Sequence, residues 1–165
     1  QLLVMQKFPN LKNIYHLTAT LIGIGLIPLA PGTFGSIFAW LVFVIMSHFV
    51  DMLIYTICIV FIAIWVCEKA SVNLIQKDHK SIVIDELAGM WVALVPVIYF
   101  ASDQLERITY ACLALVFFRV FDILKPFPIS YFDKKYKNGF GIVLDDIIAG
   151  IFSGILSVLI VVFLI

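Results

Sequence analysis

Most of this chain is written in long apolar runs separated by short polar links, and that pattern leaves few folds open. The runs cover 34–49, 53–66, 86–100, 108–124 and 142–165. Each comes close to the roughly 20 residues that a helix needs to cross a bilayer. The second and third are short at their strict apolar limits, so they are expected to extend into flanking polar residues. In lipid only helices and closed barrels satisfy every backbone N–H and C=O, and long runs without alternation specify helices. Composition agrees: 63% of the 165 residues are hydrophobic and 13% are charged. A soluble domain is nearer half apolar and about a quarter charged. A chain this short leaves much of its surface outside any core, and lipid has to be the solvent for that surface.

A sixth apolar stretch, 14–29, is interrupted by Gly23, Gly25 and Pro28 and runs into the turn Pro31-Gly-Thr-Phe-Gly-Ser36. Basic residues gather at Lys7 and Lys12, from Lys69 to Lys80, and from Lys125 to Lys137; the links 47–52 and 101–106 hold no Lys or Arg. The positive-inside tendency puts the three basic segments together in the cytoplasm. They agree only if 14–29 dips into the membrane and returns. The expected fold is therefore all-α: a polytopic helical membrane bundle of about five transmembrane helices plus an N-terminal re-entrant or interfacial helix. No repeat or low-complexity segment divides it, so 1–165 is expected to be a single membrane-embedded domain.

The formal net charge is zero, which leaves no electrostatic case for a nucleic-acid partner. The first dozen residues show no signal-peptide cleavage pattern. Cys58, Cys67 and Cys112 lack metal-like spacing and read as small buried hydrophobes. In the last helix Asp146, Gly150 and Gly154 recur every four residues beside Ala149, Ser153 and Ser157. Small residues on one face let helix backbones approach closely, and the same stripe turns Asp146 toward the bundle interior.

Ionisable groups in or at the ends of membrane helices are costly and need a partner or a function. Here they cluster. Asp85-Glu86 is expected to open the third helix and Asp145-Asp146 the fifth, while Arg119, Asp122 and Lys125 recur at three-residue spacing at the end of the fourth. The five-span threading puts these groups, with Thr33 and Ser36 of the glycine-rich turn, at one membrane level. Five carboxylates left together repel one another. A divalent cation relieves this, and carboxylate oxygens are the ligands that Mg²⁺ prefers. Arg119 and Lys125 among them point to an anionic substrate, phosphate above all, because Arg offers paired donors to phosphate oxygens. Thr33, Ser36 and the backbone of their turn can add donors to the same oxyanion.

Each element also has a plainer reading. Asp85 or Asp145 alone suits a helix N-cap. Capping accounts neither for adjacent acids twice over nor for Asp122 near a helix C-terminus. Arg119 with Asp122 is, by itself, an intramembrane ion pair. Lys134, Lys135 and Lys137 read as a solvated loop at the headgroups, and His79 as an ordinary loop histidine. His16 and His48, with no acidic neighbour, carry no assignment. It is the conjunction that points to phosphoryl chemistry.

Taken in order, several segments resemble the phosphatidylglycerophosphatase A family: Ala30-Pro-Gly-Thr-Phe-Gly-Ser36, Asp78-His79, Ser81-Ile-Val-Ile-Asp-Glu86 and Gly89-Met-Trp91. They continue with Phe118-Arg-Val-Phe-Asp-Ile-Leu-Lys-Pro-Phe-Pro128, Phe132-Asp133 and Gly139-Phe-Gly-Ile-Val-Leu-Asp-Asp-Ile-Ile-Ala-Gly150. The set covers about 14–154. The resemblance implies a Mg²⁺-dependent phosphatase of the bacterial inner membrane, its site on the cytoplasmic side. Its substrate would be a phospholipid of the bilayer, phosphatidylglycerophosphate, hydrolysed to phosphatidylglycerol and inorganic phosphate. On that reading Asp85, Glu86, Asp122, Asp145 and Asp146 are candidate metal ligands, one or two of them acting instead in proton transfer. Arg119 and Lys125 would neutralise phosphate, with Thr33 and Ser36 as further substrate contacts.

Two other classes use clustered membrane acids. A phosphatidyl-transferring enzyme wants two aspartates three apart followed by Gly and an Ala-Arg pair, which Asp145-Asp146 lacks. An ion transporter wants acids near the bilayer midplane and structural repeats.

Overall fold

The computed structural model describes residues 8–72, 74, 77–136 and 138–164. Among them the chain forms eight α-helices and one 3-10 turn, with no strand. The first two elements are short: α1 (Ile14–Ala19) and the turn Ile24–Leu26. At about 1.5 Å per residue neither can cross a bilayer, so 14–29 is not a span. Its backbone is broken at Leu21, Ile22 and Gly23, all at positive φ, and Ala19 O accepts the Val83 N–H.

The apolar runs become α2 (Pro31–Met46), α3 (Met52–Ala70), α4 (Ile84–Leu94) with α5 (Val97–Phe100), and α6 (Gln104–Leu124). They end with α7 (Ile129–Lys135) and α8 (Gly139–Leu164). Local chemistry sets their ends. Pro31 starts α2 where no N–H is needed. Asp51 accepts the Leu53 N–H to cap α3, and Asp103 accepts the Glu106 N–H to cap α6.

Several sequence expectations need correction. The run 86–100 is two helices, because Pro96 lacks a donor and its ring crowds the carbonyl four residues back. Asp145-Asp146 does not open the last helix, so Asp145 is no N-cap. Asn138 Oδ1 accepts the Gly141 N–H, and α8 is already under way by Gly139. Nor is Asp85 the cap of α4; Val83 holds that position. The segment after Pro128 is helical over α7 instead of looped; Lys134 and Lys135 are exposed there, and Lys137 lies outside the described residues. Lys7, at the start of the expected basic segments, is also outside them. Cys67 is buried, but Cys58 and Cys112 are exposed on outward faces.

Two helices, Met52–Ala70 and Gly139–Phe163, are long and apolar enough to cross a membrane, and α2 is a shorter apolar helix. Their outward faces carry Phe61, Trp65, Ile155 and Phe163, all exposed.

At the centre, α8 packs mainly on α4 and α6, and α4 also packs on α2 and α3. The small-residue stripe lies at this crossing. A Cβ built on Gly150 would strike Gly89 O, and one on Gly89 would strike Asp146 O. Ser153 Oγ donates to Ala114 O (2.8 Å), and Trp91 Nε1 donates to Ala39 O (2.9 Å). The Tyr110 hydroxyl, fully buried, lies 3.1 Å from Ala93 O and 3.0 Å from Gly154 O, tying α6 to both neighbours. Tyr110→Phe should cost about 1 kcal/mol. For a chain of this size that lowers the thermal midpoint in detergent by roughly 2–4 °C. An unchanged midpoint would show that the hydroxyl adds nothing.

Candidate active site

Chain direction alternates from α2 to α3, the α4–α5 pair, α6 and α8, and helix ends meet at one pole. There the start of α2 faces the start of α4 and the last turn of α6. A Cβ on Gly32 would strike Glu86 Oε1 and come within 3.3 Å of both terminal guanidinium nitrogens of Arg119. Only glycine lets the α2 backbone sit this close to an acid and a base. At the same pole the Glu68 carboxylate, in the last turn of α3, accepts the Gly139 N–H at 2.5 Å.

Asp85, Glu86 and Asp146 converge here, each offering an oxygen within 4.8 Å of the others. Asp85 and Asp146 are only 5% and 4% exposed. Asp85 comes from the first turn of α4, where carboxylates suit the helix dipole. Asp146 is delivered by α8 at the Gly89 crossing. Glu86 Oε2 and Asp146 Oδ1 are buried with no hydrogen-bond partner among the described residues. Buried carboxylate oxygens in this state are costly by themselves and fit a hard cation. These three residues can hold a metal ion.

The other two sequence-predicted acids are met by cations. Arg119 Nη1 donates to Asp122 Oδ2 (2.5 Å) and to Ser36 Oγ (3.2 Å), and Ser36 Oγ donates to Gly32 O (2.8 Å). Arg119 and Glu86 flank the same point on Gly32, so the ion pair borders the acid trio. Lys125 Nζ donates to Asp145 Oδ2 (2.5 Å) and to Asp133 Oδ1 (3.0 Å). Burial works against the Lys125 ammonium, but Asp145 and then Asp133 outweigh it and hold its pKa above the ordinary lysine range.

The glycine-rich turn is a helix start. The Thr33 and Phe34 N–H groups both donate to Ala30 O, so neither is a free oxyanion donor. Thr33 itself is half-buried on this first turn. His79 Nδ1 accepts the Ser81 N–H and its ring meets the edge of Phe8. Burial, with Lys80 adding to it, lowers its pKa below the usual histidine value.

Sequence reasoning missed Asp133 and Glu68. Asp133 stands in a lysine-rich segment that read as solvated loop. Glu68 reads as a polar helix end, and only the fold brings it to Gly139.

An acid trio able to take a cation, bordered by an arginine, stands at one end of a bundle that has two membrane-length apolar helices, an arrangement that suits an anionic group. Comparison with known proteins makes the class specific. The family model described as Phosphatidylglycerophosphatase A matches residues 17–161. A phosphatidylglycerophosphatase A of Haemophilus influenzae is 38% identical over 147 residues, 87% of this chain and 86% of its own. That of Escherichia coli is 35% identical, over 87% of this chain and 81% of its own. A Bacteroides thetaiotaomicron relative, named provisionally as a phosphatidylinositol-3-phosphatase, is 33% identical over 85% of this chain and 89% of its own. No solved structure matches. The chain belongs to the phosphatidylglycerophosphatase A family.

Proposed function

We propose that this pole is the active site of a Mg²⁺-dependent phosphatidylglycerophosphatase, with Asp85, Glu86 and Asp146 as the metal ligands. The family supplies the reaction, loss of the terminal phosphate of phosphatidylglycerophosphate to give phosphatidylglycerol. What carries the assignment of residues is the convergence of three acids with two orphaned oxygens beside Arg119. Mg²⁺ fits best, because the donors are all carboxylates and a small hard ion keeps waters for exchange.

Arg119 receives the phosphate. Its guanidinium is held by Asp122 and Ser36, so it is oriented before substrate arrives, and its paired donors match two phosphate oxygens. Gly32 lets the α2 backbone lie directly against the guanidinium and Glu86, with no side chain between them. Asp122, paired with Arg119 and not among the three converging acids, is the candidate left for proton transfer. When bound, the metal ion polarises phosphate and makes a water more acidic. Thr33 adds a hydroxyl at the same pole.

The protein is multi-pass in this reading, with α2, α3, α4–α5, α6 and α8 crossing the inner membrane. The site then lies in the cytoplasmic leaflet, and α1 and α7 lie along its surface. Support comes from Ile22, Leu29, Leu124 and Phe127, which project from this pole at 72–82% exposure. Side chains of that kind belong among acyl chains at headgroup depth, where a lipid phosphate is found. The whole of 1–165 acts as one membrane-embedded domain.

The test is phosphate release from phosphatidylglycerophosphate in mixed micelles, with Mg²⁺ and then excess chelator. Release that chelator abolishes and Mg²⁺ restores is expected; release indifferent to chelator would remove the metal from the site. Phosphatidylinositol 3-phosphate, run in parallel, tests headgroup selectivity, which the name of the Bacteroides relative raises. Arg119→Lys should lower kcat/KM by roughly 100-fold, because a point charge keeps attraction but loses bidentate geometry. A change under threefold would exclude Arg119 from phosphate recognition.

A further inference from the structure

We infer that Lys125 is a tethered second cation, which makes this a one-metal site: its ammonium sits where a second divalent ion would otherwise bind. The inference rests on the metal-binding reading above and divides its acids into two groups. Asp145 and Asp146 are neighbours on α8, so their side chains leave the helix about 100° apart. Asp146 turns to Asp85 and Glu86. Asp145 turns to Lys125, which also holds Asp133 from α7. Two carboxylates from different helices thus converge on one ammonium at 2.5 and 3.0 Å, as they would on a metal ion.

Two further observations show that the lysine is placed and not incidental. Lys125 is the C-cap of α6 in the left-handed region, at φ 43° and ψ 56°. Glycine is the residue that adopts this conformation without penalty. A lysine kept there trades backbone ease for its side chain. The second observation is Asp145, which is 5% exposed and whose Oδ1 has no partner among the described residues. A buried acid in this state needs a permanent neighbouring cation, and the ammonium provides one whether or not metal is bound. Paired phosphoryl-transfer metals clamp both sides of the displacement. On this inference the fixed +1 charge held by Asp133 and Asp145 substitutes for the second ion and needs no loading. Lys125 is then a positioning residue that holds α7 and α8 at the site, and Arg119 is left as the phosphate contact.

The experiment counts Mn²⁺ bound per chain in detergent, by equilibrium dialysis and by the loss of the free-ion EPR signal, without substrate or turnover. One equivalent is expected for the unaltered protein and for Lys125→Arg. Two are expected for Lys125→Ala, because removing the ammonium frees Asp133 and Asp145. Two equivalents in the unaltered protein would overturn the inference while leaving the metal reading intact, and that count needs no variant to fold. One equivalent in monodisperse Lys125→Ala and Lys125→Gln alike would overturn it too. No bound Mn²⁺ in the unaltered protein would bring down the metal reading itself.

Discussion

Asp146→Asn should abolish phosphate release while leaving the protein folded, and in metal-free detergent its thermal midpoint should match or exceed that of the unaltered chain. The two halves have one cause. Asp146 is 4% exposed and faces Asp85 and Glu86, so a negative charge on it is a burden whenever no metal ion is present. Asparagine keeps the shape and removes that charge, which relieves the repulsion. It also removes one of the three proposed ligands. Metal stabilisation of a transition state is worth several kcal/mol. At about 1.4 kcal/mol per tenfold, the loss is roughly a thousandfold or more in kcat.

A second readout separates a lost ligand from a damaged fold. Ligand at about 100 times its Kd stabilises a folded chain by about 2.7 kcal/mol, so Mg²⁺ should raise the midpoint of the unaltered protein. It should not raise that of the Asp146→Asn variant. Full activity in this variant would remove Asp146 from the ligand set. A lowered midpoint without metal would mean that the acid is structural.

The fold was readable where one physical cause dominates. Apolar run length found every long helix among the described residues, because a long apolar run without alternation specifies a helix. What it missed depends on tertiary context or on single residues that break a pattern. Pro96 splits a run whose hydropathy is unbroken. Asn138 starts α8 early, so Asp145-Asp146 sits beyond the first turn, and spacing alone misread these acids as a helix opening. α7 is too short for periodicity to register.

The acid cluster was legible as a set of residues and illegible as a network. Acids in apolar surroundings advertise themselves, and all five lie at one pole. Which acid meets which cation depends on the rotation of α4, α6 and α8 about their axes. That rotation is set by contacts such as Gly89 on Asp146 and Gly32 on Glu86. Asp133, quoted in the segment Phe132-Asp133, drew no role for the same reason: nothing in its neighbourhood of lysines shows that α7 folds back to Lys125.

Gly89→Val should therefore be the most damaging change outside the acids, acting on fold and chemistry together. A Cβ at Gly89 would meet the Asp146 carbonyl on α8 and the Phe118 ring on α6, and across the same crossing Gly150 is pressed against Gly89 O. Backbone atoms cannot swing aside as a side-chain tip can. The helices must separate, and in a membrane their association rests on this close packing. Overpacking of a tight core costs roughly 1–3 kcal/mol. At about 2–4 °C per kcal/mol for a chain of this length, the midpoint should fall by roughly 2–12 °C. The carbonyl that is pushed belongs to the residue carrying a proposed ligand. A misplacement near 1 Å costs about a hundredfold in rate even when every reacting group is present. Activity should thus fall further than stability explains, measured below the variant's own midpoint. Gly154→Ala makes the comparison, because its Cβ meets Ala93 O at 3.2 Å, further along α8 from the acids. It should lower the midpoint slightly and leave kcat near that of the unaltered chain. If Gly89→Val loses stability but keeps kcat, the α4–α8 crossing holds the bundle without aiming Asp146, and the ligand is positioned by α8 alone.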